Sequence, residues 1–414
     1  MCCLHLMAFW LALIQTMRAA KAWHLSATSR SASDVCTRMK HLEKHLILLG
    51  AGHAHVHVLE GFAARPSSSV RITLIAPHQG QLYSGMVPGF VAGHYTLDEC
   101  VIPLAGLLAR CHAQYVAGSA TSINADAKTL TLNDGQTIAW DMLSLNTGAV
   151  MDREKIESTM PGARQHALFV RPIDTFAKLW PQATAIALQR PLHLAVVGAG
   201  AAGLELAMAA AHALSAPHNA PGSRVTLVTG GAEPGQSYPA AVQRRIRAAL
   251  TRLHITVLQD ACVGLNKGEV MLGSGATLAC DMPLLAIGAQ APGWLEGSGL
   301  ALDAQGFAGV NRFQQSTSHA QVFAAGDVAS RTDAPHSRSG VYAVHAGPPL
   351  LRNLLSALAA QPLAAYAPPT RTLNLLSCGG RYAIASWGQL SVEGAWVWHL
   401  KDRIDRRFVR RYSS

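Results

Sequence analysis

Gly198, Gly200 and Gly203 fill all three positions of a GxGxxG pattern, and the apolar, partly β-branched run Leu194 to Val197 before them has the length of a strand. In such a turn each glycine has its own task. The first permits the tight reversal, the second lets backbone amides approach a pyrophosphate, and the third lets the following helix pack against the strand. Ala201 and Glu205 open that helix, whose N-terminus carries partial positive charge and suits a phosphate. A glycine-rich loop also occurs without a ligand, so this stretch alone leaves both readings open.

An echo lies 148 residues upstream, about one domain away. Leu46 to His57 reads LILLGAGHAHVH, with Gly50, Ala51, Gly52 and Ala54 in the places of the later turn. Two copies suggest two dinucleotides. In this copy His55 stands where the third glycine belongs, so its side chain must displace the helix or turn aside. His53 and His57 would share a helical face with it close by, but no carboxylate or thiol stands at ligand spacing. Local packing around the turn is the expected role of all three, and no metal is expected.

The chain has 414 residues, half of them apolar and 14% charged, which suits two or three globular domains rather than a disordered protein. Its net charge of +10 admits nucleic acid, an anionic membrane or an acidic small molecule, and the location of the charge must decide. No two of the eight cysteines form CxxC or a familiar metal spacing, so they read as buried thiols in a reducing compartment. Residues 2–17 are apolar but short, and no Lys or Arg precedes them, so 1–39 reads as an extension, disordered or not native, with Met39 a plausible start.

Between and after the two turns the pattern alternates. A helix is expected over His53 to Ala64 and strands over Val70 to Ala76 and Arg224 to Thr229. Neither strand ends in the Asp or Glu that usually binds a ribose hydroxyl, which leaves NADH against NADPH open. Arg244 and Arg245 could meet a 2′-phosphate, although a solvated helix face is the plainer reading. Leu82 to Tyr95 is a long apolar loop punctuated by glycine, suited to lining something flat. Short strands are expected at 114–116, 120–124, 129–132 and 137–138, with a hairpin at Asn133-Asp134-Gly135. Asp141 to Gly148 and Asp281 to Gly288 are a second repeated pair. Gln321 to Val328 ends in Gly326-Asp327, where the carboxylate could accept hydrogen bonds from ligand hydroxyls or cap the next helix.

The ordered set of GAG, Thr147-Gly148, GAGAAG with Glu205, Gly288 with Pro292, and AAGD resembles the pyridine nucleotide-disulfide oxidoreductase flavoproteins over most of the chain from Lys40. Within them, GAGHAHVHVL, LYSGMVPGFVAGHY and the tail from Arg381 resemble the selenophosphate synthetase-associated branch, similar to type II NADH dehydrogenases and sulfide:quinone reductases. The resemblance implies an α/β fold of two Rossmann-like domains, three-layer ββα in type, with FAD as cofactor and NADH or NADPH as co-substrate. It implies an FAD domain over 40–155 and 305–365, an NAD(P)H domain over 156–304 and a C-terminal region over 366–414. It places Gly50, Ala51, Gly52, His53, Ala54, Thr147, Gly148, Gly326 and Asp327 at FAD, and Tyr83, Met86 and Pro88 near the isoalloxazine. Gly198, Gly200, Ala201, Gly203 and Glu205 fall at NAD(P)H, and Gly288 at the domain crossing. A helix beginning in Ser339 to His345, with Tyr342, would aim its positive end at the flavin.

Hydride transfer belongs to the two cofactors, so no catalytic side chain is named. The redox cysteine pair of the disulfide reductases has no counterpart here, which favours transfer to a small acceptor, with a quinone first. Sulfide or selenide oxidation is the enzymatic alternative, requiring two of Cys111, Cys262 and Cys378 at the flavin; a slow-turnover regulatory flavoprotein is the other. In the tail, Val397, Leu400, Ile404 and Phe408 recur at helical spacing, flanked by Trp396 and Trp398 and by six Lys or Arg against two Asp. This helix either docks on its own core or lies on an anionic membrane, which would make the protein cytoplasmic and peripheral on the inner face. No nucleic-acid motif accompanies the charge.

Overall fold

A computed structural model describes residues 43–413; the expectations for 1–39 fall outside them. Two five-stranded parallel sheets dominate. The first runs Val322–Ala324, Met142–Leu145, Lys44–Leu49, Val70–Ala76, Gln114–Ala117, and the second runs Leu168–Phe169, Met282–Leu285, His193–Val197, Arg224–Val228, Thr256–Leu258. The strands read as nearly continuous apolar runs because parallel sheets are covered on both faces. Leu46, Ile47, Leu48, Leu194, Ala195 and Val196 are 1% exposed or less.

The duplication holds down to single hydrogen bonds. Asp141 accepts from the His45 amide and Asp281 from the His193 amide, both at 2.7 Å. Gly50 N–H donates to Ile75 O at 2.8 Å, and Gly198 N–H to Val228 O at 2.9 Å. Each half also carries a three-stranded antiparallel sheet, at 120–139 and 262–279. The segments that leave the two sheets pair with each other through Val150 and Gln290, whose amides and carbonyls exchange bonds of 2.9 and 2.8 Å.

Four helices frame the glycine turns and the C-terminal region. Helix α1 (His53–Ala64) follows the first glycine turn, and α2 (Ala201–Leu214) follows the second. Helix α3 (Gly340–Leu358) packs along α1. Helix α4 (Ala395–Ser413) closes the chain after the antiparallel sheet Leu373–Ser377, Ala383–Trp387, Leu390–Gly394.

The docked face of α4 differs from the expected stripe. Val397, Trp398, Lys401, Asp405, Val409 and Tyr412 are buried, whereas Ile404 is 40% exposed. Polar anchors rotate the helix. Tyr95 donates to Asp402 at 2.8 Å, and Arg411 reaches Glu60 at 2.8 Å. Charge pairing with the first half therefore outweighs the burial of one isoleucine.

Candidate nucleotide sites and the buried network between them

The two glycine turns are built for close approach. Gly50 has φ +88°, and a Cβ on Gly52 would lie 2.4 Å from the carbonyl oxygen of Asn146. At the second turn, a Cβ on Gly203 would sit 2.1 Å from Gly198 O, so only glycine lets α2 approach its strand. A Cβ on Gly200 would meet nothing within 4 Å. The first-turn amides of α2 have no side-chain cap and face this open space. That is a cradle for a pyrophosphate, and the residues fit the group.

At the first turn His55 neither displaces the helix nor faces solvent. Its ring is fully buried, with Nδ1 donating to Gly50 O at 2.6 Å and Nε2 accepting from Ser144 Oγ at 2.8 Å. The carbonyl can only accept, which fixes the tautomer. Burial lowers its pKa to about 4, so the ring is neutral. Asn146 completes the turn: Oδ1 accepts from the Ala54 and His55 amides at 3.0 and 3.1 Å, and Nδ2 donates to Ala325 O at 2.6 Å. His53 packs with its ring 5.2 Å from that of Tyr83 and 6.0 Å from that of Phe408, and His57 meets Tyr412 through Nδ1 at 3.2 Å. The three histidines thus have separate partners.

Gly326 and Asp327 reach the same turn. A Cβ on Gly326 would lie 2.7 Å from Asn146 Nδ2. Asp327 caps no helix. It lies in a single 3-10 turn leading into the strand Ala329–Arg331, and its carboxylate meets Arg171 at 3.3 Å. Arg171 comes from the second half and also donates to Ala149 O at 3.2 Å, beside Gly148. Gly326, Asp327, Arg338, Ser339 and Tyr342 line a cavity of about 300 Å³ into which α3 opens, with Ser339 as its uncapped N-cap. Tyr342 donates to Pro369 O at 3.3 Å. Thr147 and Gly288 are exposed just beyond the carboxyl ends of the strands Met142–Leu145 and Met282–Leu285.

The remaining expected residues gather elsewhere. Tyr83 stacks on Phe408 of α4 at 4.6 Å; where a loop was expected, the chain forms a 3-10 turn Ser84–Met86 and a short helix Val87–Val91, in which Met86 and Pro88 are buried. Glu205 engages the C-terminal sheet, accepting from the Ser377 amide at 2.8 Å. Lys401 bonds Gly85 O and Asp405, each at 2.6 Å, and Asp405 accepts from Tyr83. Burial pushes the Glu205 carboxyl up to about 7 against the pull of Lys401. Burial works against the Lys401 charge, but Asp405 and Glu205 outweigh it and raise its pKa. Arg245 is not free for a phosphate; it pairs with Glu393 and Ser391, pinning helix Ala240–Arg252 to the C-terminal sheet.

The five described cysteines, Cys100, Cys111, Cys262, Cys280 and Cys378, are all free, and burial raises every one of their pKa values. Among the described residues no helix is long and apolar enough to cross a membrane.

The model of the pyridine nucleotide-disulphide oxidoreductase family matches residues 44–347, the span that holds both sheets and both turns. The chain belongs to that family. It is an oxidoreductase that uses FAD and NAD(P)H. An NADH dehydrogenase-like protein of Mycobacterium tuberculosis is 26% identical over 88% of this chain and 94% of its own. Among solved structures, NDH2 from Plasmodium falciparum in complex with NADH aligns over 90% of this chain and 99% of that one, with TM-score 0.74 and 13% identity. The sulfide:quinone oxidoreductase of Aquifex aeolicus aligns over 89% and 91%, with TM-score 0.72 and 17% identity.

Sequence reasoning missed Ser144, Asn146, Arg171 and the Lys401–Asp405 pair. The first two left a signal: DMLSLNTG carries polar residues where the repeat DMPLLAIG has Leu284 and Ala286.

Proposed function

We propose that the first glycine turn holds FAD, the second NAD(P)H, and that electrons pass to a quinone-like acceptor with no protein disulfide. In this reading 40–155 with 305–365 is the FAD domain, 156–304 the NAD(P)H domain, and 366–414 the region covering the acceptor side. Bound FAD would supply the two-electron chemistry between NAD(P)H and the acceptor. The protein binds and orients. Gly50, Ala51, Gly52, His53 and Ala54 would line the FAD pyrophosphate, Asp327 and Arg171 would flank its ribityl chain, and the α3 N-terminus would offer positive potential to the ring. Gly198, Gly200 and Gly203 serve the nucleotide.

The observation that carries the acceptor is the buried ionisable chain of Tyr83, Asp405 and Lys401, with Glu205 in its field. Reducing a quinone with NAD(P)H consumes one proton besides the hydride, NAD(P)H + H⁺ + Q giving NAD(P)⁺ + QH₂. A one-electron acceptor needs no such source. Glu205, with a pKa of about 7, can hold a proton at neutral pH and release it, while Lys401 remains charged and keeps the carboxylate form accessible. The relatives named for sulfide–quinone and NADH chemistry support this class of acceptor. Sulfide oxidation is less well supported, since burial keeps the five described thiols protonated.

The outer face of α4, with Trp396 49% exposed beside Ile404, Arg403, Arg407 and Arg410, supports peripheral contact with the inner, cytoplasmic membrane face, where quinones lie. A functional link to selenophosphate synthetase is proposed on the resemblance of three segments alone, which meet around Tyr83, Tyr95 and α4. Anaerobic stopped-flow absorbance of the FAD-loaded protein mixed with NADH or NADPH tests the reading. Bleaching of the visible flavin band, followed by reoxidation on adding a short-chain quinone, is expected. Failure of both nucleotides to reduce the flavin overturns it.

A further inference from the structure

The strand after α2, Arg224–Val228, is where a dinucleotide fold normally places the acid that binds the adenosine ribose. Thr229 stands there instead, 5% exposed, with its hydroxyl donated to Leu258 O at 3.4 Å. Gly230 and Gly231 follow at φ +70° and +80°, and a Cβ on either would meet nothing within 4 Å. The ground beyond the strand end is open.

The chain then folds back over this ground. Ala232 N–H donates to Thr229 O at 3.4 Å, and Gly235 N–H donates to Ala199 O at 3.2 Å, tying the loop to the residue between the first two glycines. Between these anchors stands Glu233, whose carboxylate is held at the carboxyl edge of the sheet. Its Oε1 accepts from Gln259, next to the edge strand Thr256–Leu258, at 2.8 Å, and Oε2 accepts from Arg247 at 3.4 Å. Both side chains of the ion pair are about half exposed, so a ligand can reach them. The other charges nearby are otherwise engaged: Asp260 is held by Ser274 and the Ala261 amide, and Arg245 by Glu393, while Arg244 points to solvent.

We propose that Glu233 is the specificity residue for the nucleotide, making this enzyme prefer NADH by opposing a 2′-phosphate and neutralising Arg247, the cation that would otherwise bind it. This rests on the second turn being the NAD(P)H site. A carboxylate at this place accepts from a ribose hydroxyl and repels a phosphate, and a guanidinium does the reverse. The pair therefore acts as one switch, set by whether the acid is present.

Anaerobic calorimetric titration of the FAD-loaded protein, its flavin reduced beforehand with dithionite so that no hydride can transfer, with NADH and with NADPH tests it. The wild type is expected to bind NADH roughly tenfold or more tightly than NADPH. Glu233→Gln is expected to raise NADPH affinity by about tenfold and change NADH affinity by less than about threefold. Adding Arg247→Gln to that variant should remove the gain. Equal affinity of the wild type for both nucleotides, or an unchanged ratio in Glu233→Gln, overturns the assignment while leaving the site itself standing. Binding of neither nucleotide overturns the site and the assignment together.

Discussion

The two glycine turns share a hydrogen-bond skeleton yet solve the third position in opposite ways. At the second turn Gly203 lets α2 press against the strand, and the neighbouring strand contributes Leu284 and Ala286. At the first turn His55 fills that room, and Ser144 and Asn146 occupy the corresponding places on Met142–Leu145 and just beyond it. A buried imidazole needs a partner for each nitrogen, so one exchange in the turn requires another on the next strand. The second turn is tight and leaves its amides to a ligand. The first is cross-braced, with Asn146 already taking the Ala54 and His55 amides. Under the proposed assignment, bracing suits the turn that would keep its cofactor through many cycles, and open amides the turn that would exchange its nucleotide.

Overfilling the tight turn should have the largest effect. Gly203→Ala puts a methyl against backbone that cannot yield, at a cost of about 2–4 kcal/mol by urea unfolding, with NADH affinity down more than about tenfold and FAD content unchanged. Wild-type stability in that variant would break the contrast between the turns.

Removing the brace comes next. His55→Ala leaves a cavity and strands Ser144, at about 3 kcal/mol, and His55→Ala with Ser144→Ala should cost less than the two single changes added together. Strict additivity would show that the pair is not a unit. The pH dependence sharpens this. The folded pKa of His55, about 4, lies below its ordinary 6.5, so its stabilising share is complete above 6.5 and is lost as pH falls towards 4. That share is about 3 kcal/mol. His53 and His57 titrate in the same window, so His55→Ala should reduce the acid sensitivity between pH 7 and pH 5 without abolishing it.

The smallest effect concerns the network between the turns. Glu205 is pushed up to about 7, so it is protonated below that value, and quinone reduction should decline as pH rises through 7. Glu205→Gln should flatten that limb and lower the plateau several-fold. A wild-type rate that stays level from pH 6 to 8 would remove Glu205 from proton delivery.

Both turns, the parallel strands that feed them and the repeat of Asp141 to Gly148 at Asp281 to Gly288 were legible in the sequence, because these depend on local backbone conformation and on apolar runs of fixed length. The helix His53–Ala64 was legible for the same reason, and the start of α3 after Ser339 through the family resemblance. The tertiary structure alone decided what meets across the chain. Arg171 comes to Asp327 from 156 positions away, Lys401 to Gly85 from 316, and Ser377 to Glu205 from 172. No local pattern encodes such pairs. The apolar periodicity of α4 suggested one buried face, and salt bridges to Glu60 and Glu99 with the Tyr95–Asp402 bond selected another. A side chain's role at a long-range junction follows from which partner satisfies its charge, and that is settled only when distant segments are packed together.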